Sequence, residues 1–235
     1  MARRDRVRIA SLLLVFGVAR PPGAQTVRPA VVEYPDQARG KFELVNETLF
    51  PLTVVIEPRG FHVEPSGELI EETLDTARIR VKTSAMSFRI PPRETYTVFY
   101  EATAKSFPAW FLISSTLTGA RTQAGLNVRI ELPHVVYMLQ RQPLRQADVI
   151  VRRFDFDSTT KRVRVELENT GPALGRVLSS EVSVSGRKSA PGGAFPLFPF
   201  SRRTLEIPWG EDLTPDKLVL RFANFTMEER RKRAE

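Results

Sequence analysis

Apolar and polar residues alternate with period two in run after run of this chain, and no cysteine is present to staple the strands that such runs imply. Phe42, Leu44 and Asn46 alternate with Lys41, Glu43 and Val45, and 52–56 adds a β-branched run. Ile79 and Val81 sit between Arg78, Arg80 and Lys82, and Tyr96, Val98 and Tyr100 follow, then the apolar stretch 110–117. Leu126, Val128, Ile130 and Leu132 alternate with Asn127, Arg129 and Glu131. Successive side chains of a strand point to opposite faces, so each run predicts one buried face and one wet face. Past Gln142–Pro143 the pattern begins again at 149–156, 162–168, 177–184, 203–207 and 218–222, punctuated by Gly and Pro. Helical periodicity is scarce; 66–74 (SGELIEETL) predicts one short helical turn.

Many short strands at this spacing predict an all-β fold of two immunoglobulin-like β-sandwich domains, held by hydrophobic packing alone. The polar, proline-bearing stretch around 139–146 reads as the joint between them. The expected division is 25–141 for an N-terminal immunoglobulin-like domain, 142–147 for a linker, 148–227 for a C-terminal immunoglobulin-like domain and 228–235 for a charged tail. The tail, EERRKR at 228–233, mixes both signs and reads as a solvated, fraying helical end.

Residues 1–24 read as a signal peptide. Arg3, Arg4, Arg6 and Arg8 form a basic head, Ile9 to Ala19 is an apolar run, and small residues follow where a peptidase could cut, after Ala19 or Ala24. Eleven residues rise about 16 Å, against a hydrocarbon core of roughly 30 Å. Export to the periplasm, with no stable membrane insertion after cleavage, is the expectation. The full chain carries 35 basic and 27 acidic residues; cleavage after Ala24 leaves 30 and 26, a net charge of +4. What remains is interspersed with acidic neighbours, which argues for solubility and against nucleic-acid binding.

The residues that could carry chemistry are few. The lack of cysteine removes thiolate metal sites, clusters and cysteine nucleophiles, and His62 and His134 are the only imidazoles. They read as isolated surface or junction residues. Neither a GxSxG elbow nor a GxxxxGK[ST] loop occurs. The Gly-rich stretch 190–194 (APGGA) reads as a hairpin loop, Asp155 and Asp157 as a solvated strand face, and Glu71–Glu72 as a surface turn. Trp110 and Trp209 are expected as core or rim anchors of their respective sandwiches. No catalytic residue, metal site or cofactor is expected.

The order of features resembles the PapD-like periplasmic chaperones of pilus assembly. VEYPD at 32–36 followed by FELVN at 42–46 is similar to their first two strands, and MSFRIPPRETYTV at 86–98 to their proline-bearing turn. AWFLISS at 109–115 resembles their aromatic-rich sixth strand, and 126–143 their long seventh strand, which ends in an Arg and a Pro. In the second half, VRVELENT at 163–170 and FPFSRRT at 198–204 are similar to shorter motifs there. The resemblance implies two immunoglobulin-like domains set at an angle, no enzymatic activity, and a client. Pilin-like subunits of that system lack their final strand, and the chaperone lends its seventh strand to fill the gap by β-augmentation. An outer-membrane assembly platform is a further implied partner.

On this chain the lent strand would be the one carrying Leu126, Val128, Ile130 and Leu132, whose burial offers roughly 6–12 kcal/mol before ordering and association costs. The residues alone leave it open whether these four plug a partner or line their own core; the resemblance favours lending. The family also grips its subunit's terminal carboxylate with an Arg on the first strand and a Lys on the seventh. The matching positions fall near Val31 and at Tyr137 or Met138, none of them basic, which leaves Arg28 and Arg141 as weak candidate anchors. Arg141 also resembles the Arg that stiffens the family's domain junction, and the acidic partner there is replaced by Asn224. The alternative function is a structural or adhesion protein with two immunoglobulin-like domains and no transient client.

Overall fold

A computed structural model of the chain describes residues 26–121, 127–184 and 188–231. Among these, the first half forms β1 (Thr26–Arg28), β2 (Val31–Tyr34), β3 (Ala38–Val45), β4 (Leu52–Val63), β5 (Leu69–Thr73), β6 (Ile79–Thr83), β7 (Ser87–Ile90), β8 (Thr95–Ala104), β9 (Ala109–Arg121) and β10 (Asn127–Met138). The second half forms β11 (Val149–Asp157), β12 (Arg162–Asn169), β13 (Gly175–Val184), β14 (Lys188–Leu197), β15 (Arg202–Pro208), β16 (Lys217–Phe222) and β17 (Thr226–Arg230).

One sheet of the first half runs β1-β3-β8-β6 and its partner runs β2-β10-β9-β4-β5, with β7 also paired to β4. Their facing side chains make one core. Phe42, Leu44, Val98 and Tyr100 come from the first sheet; Val54, Ile56, Phe111, Ile113, Val136 and Met138 come from the second. The period-two pattern is the cause: along β4, Leu52, Val54 and Ile56 are buried while Thr53, Val55 and Glu57 are exposed. A slip of one residue would turn that whole set to water, so the register is strongly specified.

The second half repeats the plan with sheets β11-β12-β15 and β14-β13-β16-β17. Val163, Val165, Leu167, Leu205 and Ile207 face Val182, Leu218 and Leu220 across a separate core. Trp209 closes one end of it, fully buried, with its indole N–H donating to Leu213 O at 2.8 Å. The chain is therefore an all-β molecule with two sandwich cores.

The same local device closes a loop in each sandwich. Asn46, buried at the end of β3, donates to Phe50 O, Ile90 O and Pro91 O and accepts from Thr48 N–H. Asn169, buried at the end of β12, donates to Ala173 O and Phe198 O and accepts from Gly171 N–H. A side-chain amide thereby satisfies carbonyls of the loop that follows the strand and of a neighbouring segment.

Three expectations are corrected. Residues 69–73 are not helical but form β5, hairpinned to β4 through a turn in which Gly67 N–H donates to Glu64 O at 2.8 Å. Glu71 and Glu72 consequently lie on that strand rather than in a surface turn. The stretch APGGA is not a loop but part of β14, with Pro191 opposite Glu181. An edge strand tolerates proline because one side of it needs no N–H donor. At the C-terminus, Glu228–Arg230 are neither helical nor a tail: they belong to β17, paired with β16, and Lys217 bonds Glu228 at 2.8 Å.

Candidate functional site

The strand β10 has two halves with different surroundings. From Val135 to Met138 it is paired on both edges, antiparallel with β9 and parallel with β2, in the registers Val135↔Val31 to Met138↔Tyr34. From Asn127 to His134 it pairs with β9 alone among the described residues.

Which backbone groups face outward follows from the chain's alternation. Val135 N–H donates to Ala30 O at 2.8 Å and Leu139 N–H to Tyr34 O at 2.7 Å, so odd-numbered residues point their N–H and C=O away from β9. In the N-terminal half, Arg129, Glu131 and Pro133 therefore turn their backbone groups to an edge on which no strand lies among the described residues. Pro133 has no N–H to leave unsatisfied there, which is how a proline fits inside a long strand. Opposite Arg129, Thr118 and Gly119 form a bulge between the pairs Ile130↔Leu117 and Val128↔Ala120. Gly119 has φ +98°, the left-handed setting such a bulge uses, and a Cβ there would meet Pro51 O at 2.9 Å.

Of the four side chains predicted to be lent, Ile130 and Leu132 are half-buried and pack against the first core. Leu126 lies outside the described residues, and for Val128 only the backbone pairing is described. β1 is the outer strand of the opposing sheet and lies beside β10 without pairing to it, so a seam without ladder bonds runs between the two. Val27 of β1, Ile130 and Leu132 are the half-buried apolar residues along it. Thr26 Oγ1 is buried without a hydrogen-bond partner among the described residues.

The two candidate anchors do not converge. Arg28 is exposed on β1 opposite Glu43, three residues before Val31, and Arg141 is exposed three residues after Met138. The intervening β2–β10 ladder, Val31 to Tyr34, alone separates them by about 10 Å along the strands, with three further residues at each end. Val31 faces Val135, and Tyr137 and Met138 are buried, so the expected anchor positions are apolar in space as well as in sequence.

Arg141 lines a cleft of about 160 Å³ between the two sandwiches, together with Glu33, Tyr137, Arg176, Phe222 and Asn224. The junction is held by other residues. Gln140 makes a two-bond amide pair with Leu174, donating to its O and accepting from its N–H, each at 3.1 Å. Arg176 reaches Glu33 at 3.3 Å. Phe61, Leu112, Val135 and Tyr137 of the first sandwich meet Leu174 and Phe198 of the second in one apolar cluster. Trp110 belongs to this junction rather than to its own core, with its ring 4.9 Å from Phe198 and its N–H on Phe61 O at 3.0 Å. Burial pushes the Tyr137 phenol up to about 12, so it stays protonated. The β4–β5 turn also crosses over, where Thr204 N–H donates to Pro65 O at 2.7 Å.

His134 corrects the surface reading. It is fully buried, with Nδ1 2.7 Å from Pro29 O and Nε2 3.0 Å from the Tyr100 hydroxyl. The signal was present in the alternation: 130, 132, 134, 136 and 138 share one face, and that face is the core. His62 is exposed, between Glu72 at 2.5 Å and Glu64 at 3.2 Å, and the Glu72 and then the Glu64 carboxylate raise its pKa. Asp155 is paired with Arg153, and Asp157 accepts from Thr159 N–H and the Thr160 hydroxyl. Among the described residues no group of three His, Asp or Glu side chains could hold a metal ion, and no helix is long and apolar enough to cross a membrane.

No family model and no curated protein matches the sequence. Solved structures do match the fold. The YadV chaperone aligns over 88% of this chain and 98% of its own, at 13% identity and a TM-score of 0.53. A chain from the complex of the Salmonella enterica SafA pilin with the SafB chaperone aligns over 90% of this chain and 98% of its own, at 12% identity and a TM-score of 0.52. The two-sandwich fold is thus shared with these structures over 88–90% of the chain.

Proposed function

We propose that this protein is a non-enzymatic periplasmic chaperone that holds pilin-like subunits by lending them the N-terminal half of β10. The single observation that carries this reading is the open edge at 127–133, on which Arg129 and Glu131 offer both backbone groups and Pro133 its carbonyl. Beside that edge, Ile130 and Leu132, with Leu126 and Val128 continuing the alternation, supply the apolar side chains. A subunit's strand laid along β10 would extend the sheet by β-augmentation. Its body would then cover the seam against β1, so that one apolar layer runs from the chaperone's core into the subunit's. The fold shared with the SafB chaperone, which is solved in complex with a pilin, agrees with such a client. A basic leader, an apolar run and small residues at 1–24 supply the route to the periplasm. Arg141 in the cleft is the anchor best placed to meet a carboxylate; Arg28 stands apart from it.

A backbone substitution separates folding from lending. Glu131→Pro removes an N–H that the chain's own ladder does not use, so the free protein is expected to keep its stability. The same change removes a donor that the subunit would need. Co-expression with a pilin-like subunit, followed by co-purification, is expected to recover a complex with the wild type and none with Glu131→Pro. Undiminished recovery with the folded variant would overturn lending through this edge.

A further inference from the structure

Self-pairing on the outer edge of β10 begins at one rung, Val135 N–H to Ala30 O. Immediately beside that rung lies a buried hydrogen-bond chain with a determined direction. Pro29 O can only accept, so His134 Nδ1 carries the proton and donates to it. Nε2 of the neutral ring is then an acceptor, and the Tyr100 hydroxyl donates to it across 3.0 Å. The Tyr100 oxygen in turn accepts from the Tyr34 hydroxyl at 3.0 Å. The imidazole stacks on Phe42 of β3 at 4.7 Å and meets the Tyr100 ring of β8 edge-on at 5.2 Å.

Four segments meet at this ring: the β1–β2 crossover through Pro29, β3 through Phe42, β8 through Tyr100 and β10 itself; β2 joins through Tyr34. The groups they turn toward it are a carbonyl, a phenyl ring and phenols. No carboxylate or cation among the described residues touches the imidazole in these contacts. On β9, the residue opposite His134 is Ile113.

We infer that His134 is a positioning residue and an acid-sensitive latch: neutral, it pins the β1–β2 crossover to β10 and so marks where self-pairing stops and the lendable edge starts; protonated, it lets the crossover go. The word lendable rests on the function proposed above; the latch itself belongs to the free protein. A second ring proton at Nε2 would face the Tyr100 hydroxyl donor and force both tyrosine protons to turn. It would also place a charge in a site with no counter-charge among the described residues, which is costly. Burial, opposed by the weaker pull of Pro29 O, holds the ring's pKa below its ordinary 6.5. Burial, followed by the Tyr34 contact, pushes the Tyr100 phenol up, so Tyr100 keeps its proton. The folded state thus binds fewer protons than the unfolded one. The latch's contribution is complete above pH 6.5 and is lost as pH falls through the lowered folded-state value.

The test is amide exchange at Val135 in the free full chain, expressed as a protection factor so that the intrinsic pH dependence cancels, with ¹⁵N shifts of the imidazoles followed in parallel. His134→Gln is the companion variant, since its amide can donate to Pro29 O and accept from Tyr100 without titrating. The wild type is expected to lose protection at Val135 on acidification, in step with titration of His134 below pH 6.5. His62 should titrate above that value as an internal reference, and His134→Gln should stay flat. Should His134→Gln not fold, the coincidence of the His134 and Val135 transitions in the wild type decides the matter. Protection that is indifferent to acid, an equal loss in the glutamine variant, or a ring titrating at or above 6.5 would overturn the latch. None of these readouts involves a subunit, so lending stands or falls separately on Glu131→Pro.

Discussion

The two halves of β10 share a strand, a partner in β9 and an apolar inward face, yet one is locked and the other open. In the C-terminal half, Val136 and Met138 face the first core while Val135 and Tyr137 face the second sandwich. Both edges are paired there. In the N-terminal half the odd positions, Arg129, Glu131 and Pro133, are exposed and one edge is unpaired among the described residues. What changes between the halves is the β1–β2 crossover: β2 accompanies β10, whereas β1 leaves for the opposite sheet and pairs with β3. A bare, partly apolar edge invites pairing with another chain, and proteins usually cover it or charge it. Here the Arg129–Glu131 pair at 2.7 Å lies on its wet face, while its inward face remains Ile130 and Leu132.

The comparison can be broken at graded cost. Met138→Ala, in the locked half, should lower global stability by about 2–5 kcal/mol in a denaturant titration, because a fully buried side chain leaves a cavity. Phe198→Ala, which strips the locked half's outward face of its partner, should cost about 3 kcal/mol. It should also split thermal unfolding into two calorimetric transitions as the sandwiches uncouple. Leu132→Ala, in the open half, should cost only about 1 kcal/mol, since the side chain is half-buried. Its loss in subunit affinity should exceed its loss in stability. Arg129→Ala should change stability by less than about 1 kcal/mol, because its ion pair is exposed. Equal costs for Met138→Ala and Leu132→Ala would erase the distinction between the halves.

Much of this architecture was legible in the alternation of residues, including the inward face of β10 at Ile130 and Leu132, though His134, buried on the same face, reads as a surface or junction residue when taken alone. The unalternating run at 134–138 follows from burial on both faces, one by each sandwich. The junction was not legible: Gln140 meets Leu174, and Phe61 meets Phe198, across separations that no local pattern encodes. The region 66–74 misled because Glu and Leu favour helices in isolation, whereas pairing with β4 decides the matter in the fold. APGGA misled because Pro and Gly usually mark loops, and only the sheet order reveals β14 as an edge. That Val31, Tyr137 and Met138 are not basic is plain from the sequence, whereas the separation of Arg28 from Arg141 needed the register.

Residue-resolved amide exchange along β10, before and after a pilin-like subunit is bound, addresses the lent edge most directly. In the free protein, Arg129 and Glu131 should exchange readily while Val135, Tyr137 and Leu139 are protected, and binding should bring Arg129 and Glu131 to the protection of their neighbours. A complex that forms while those two amides go on exchanging as before would contradict it.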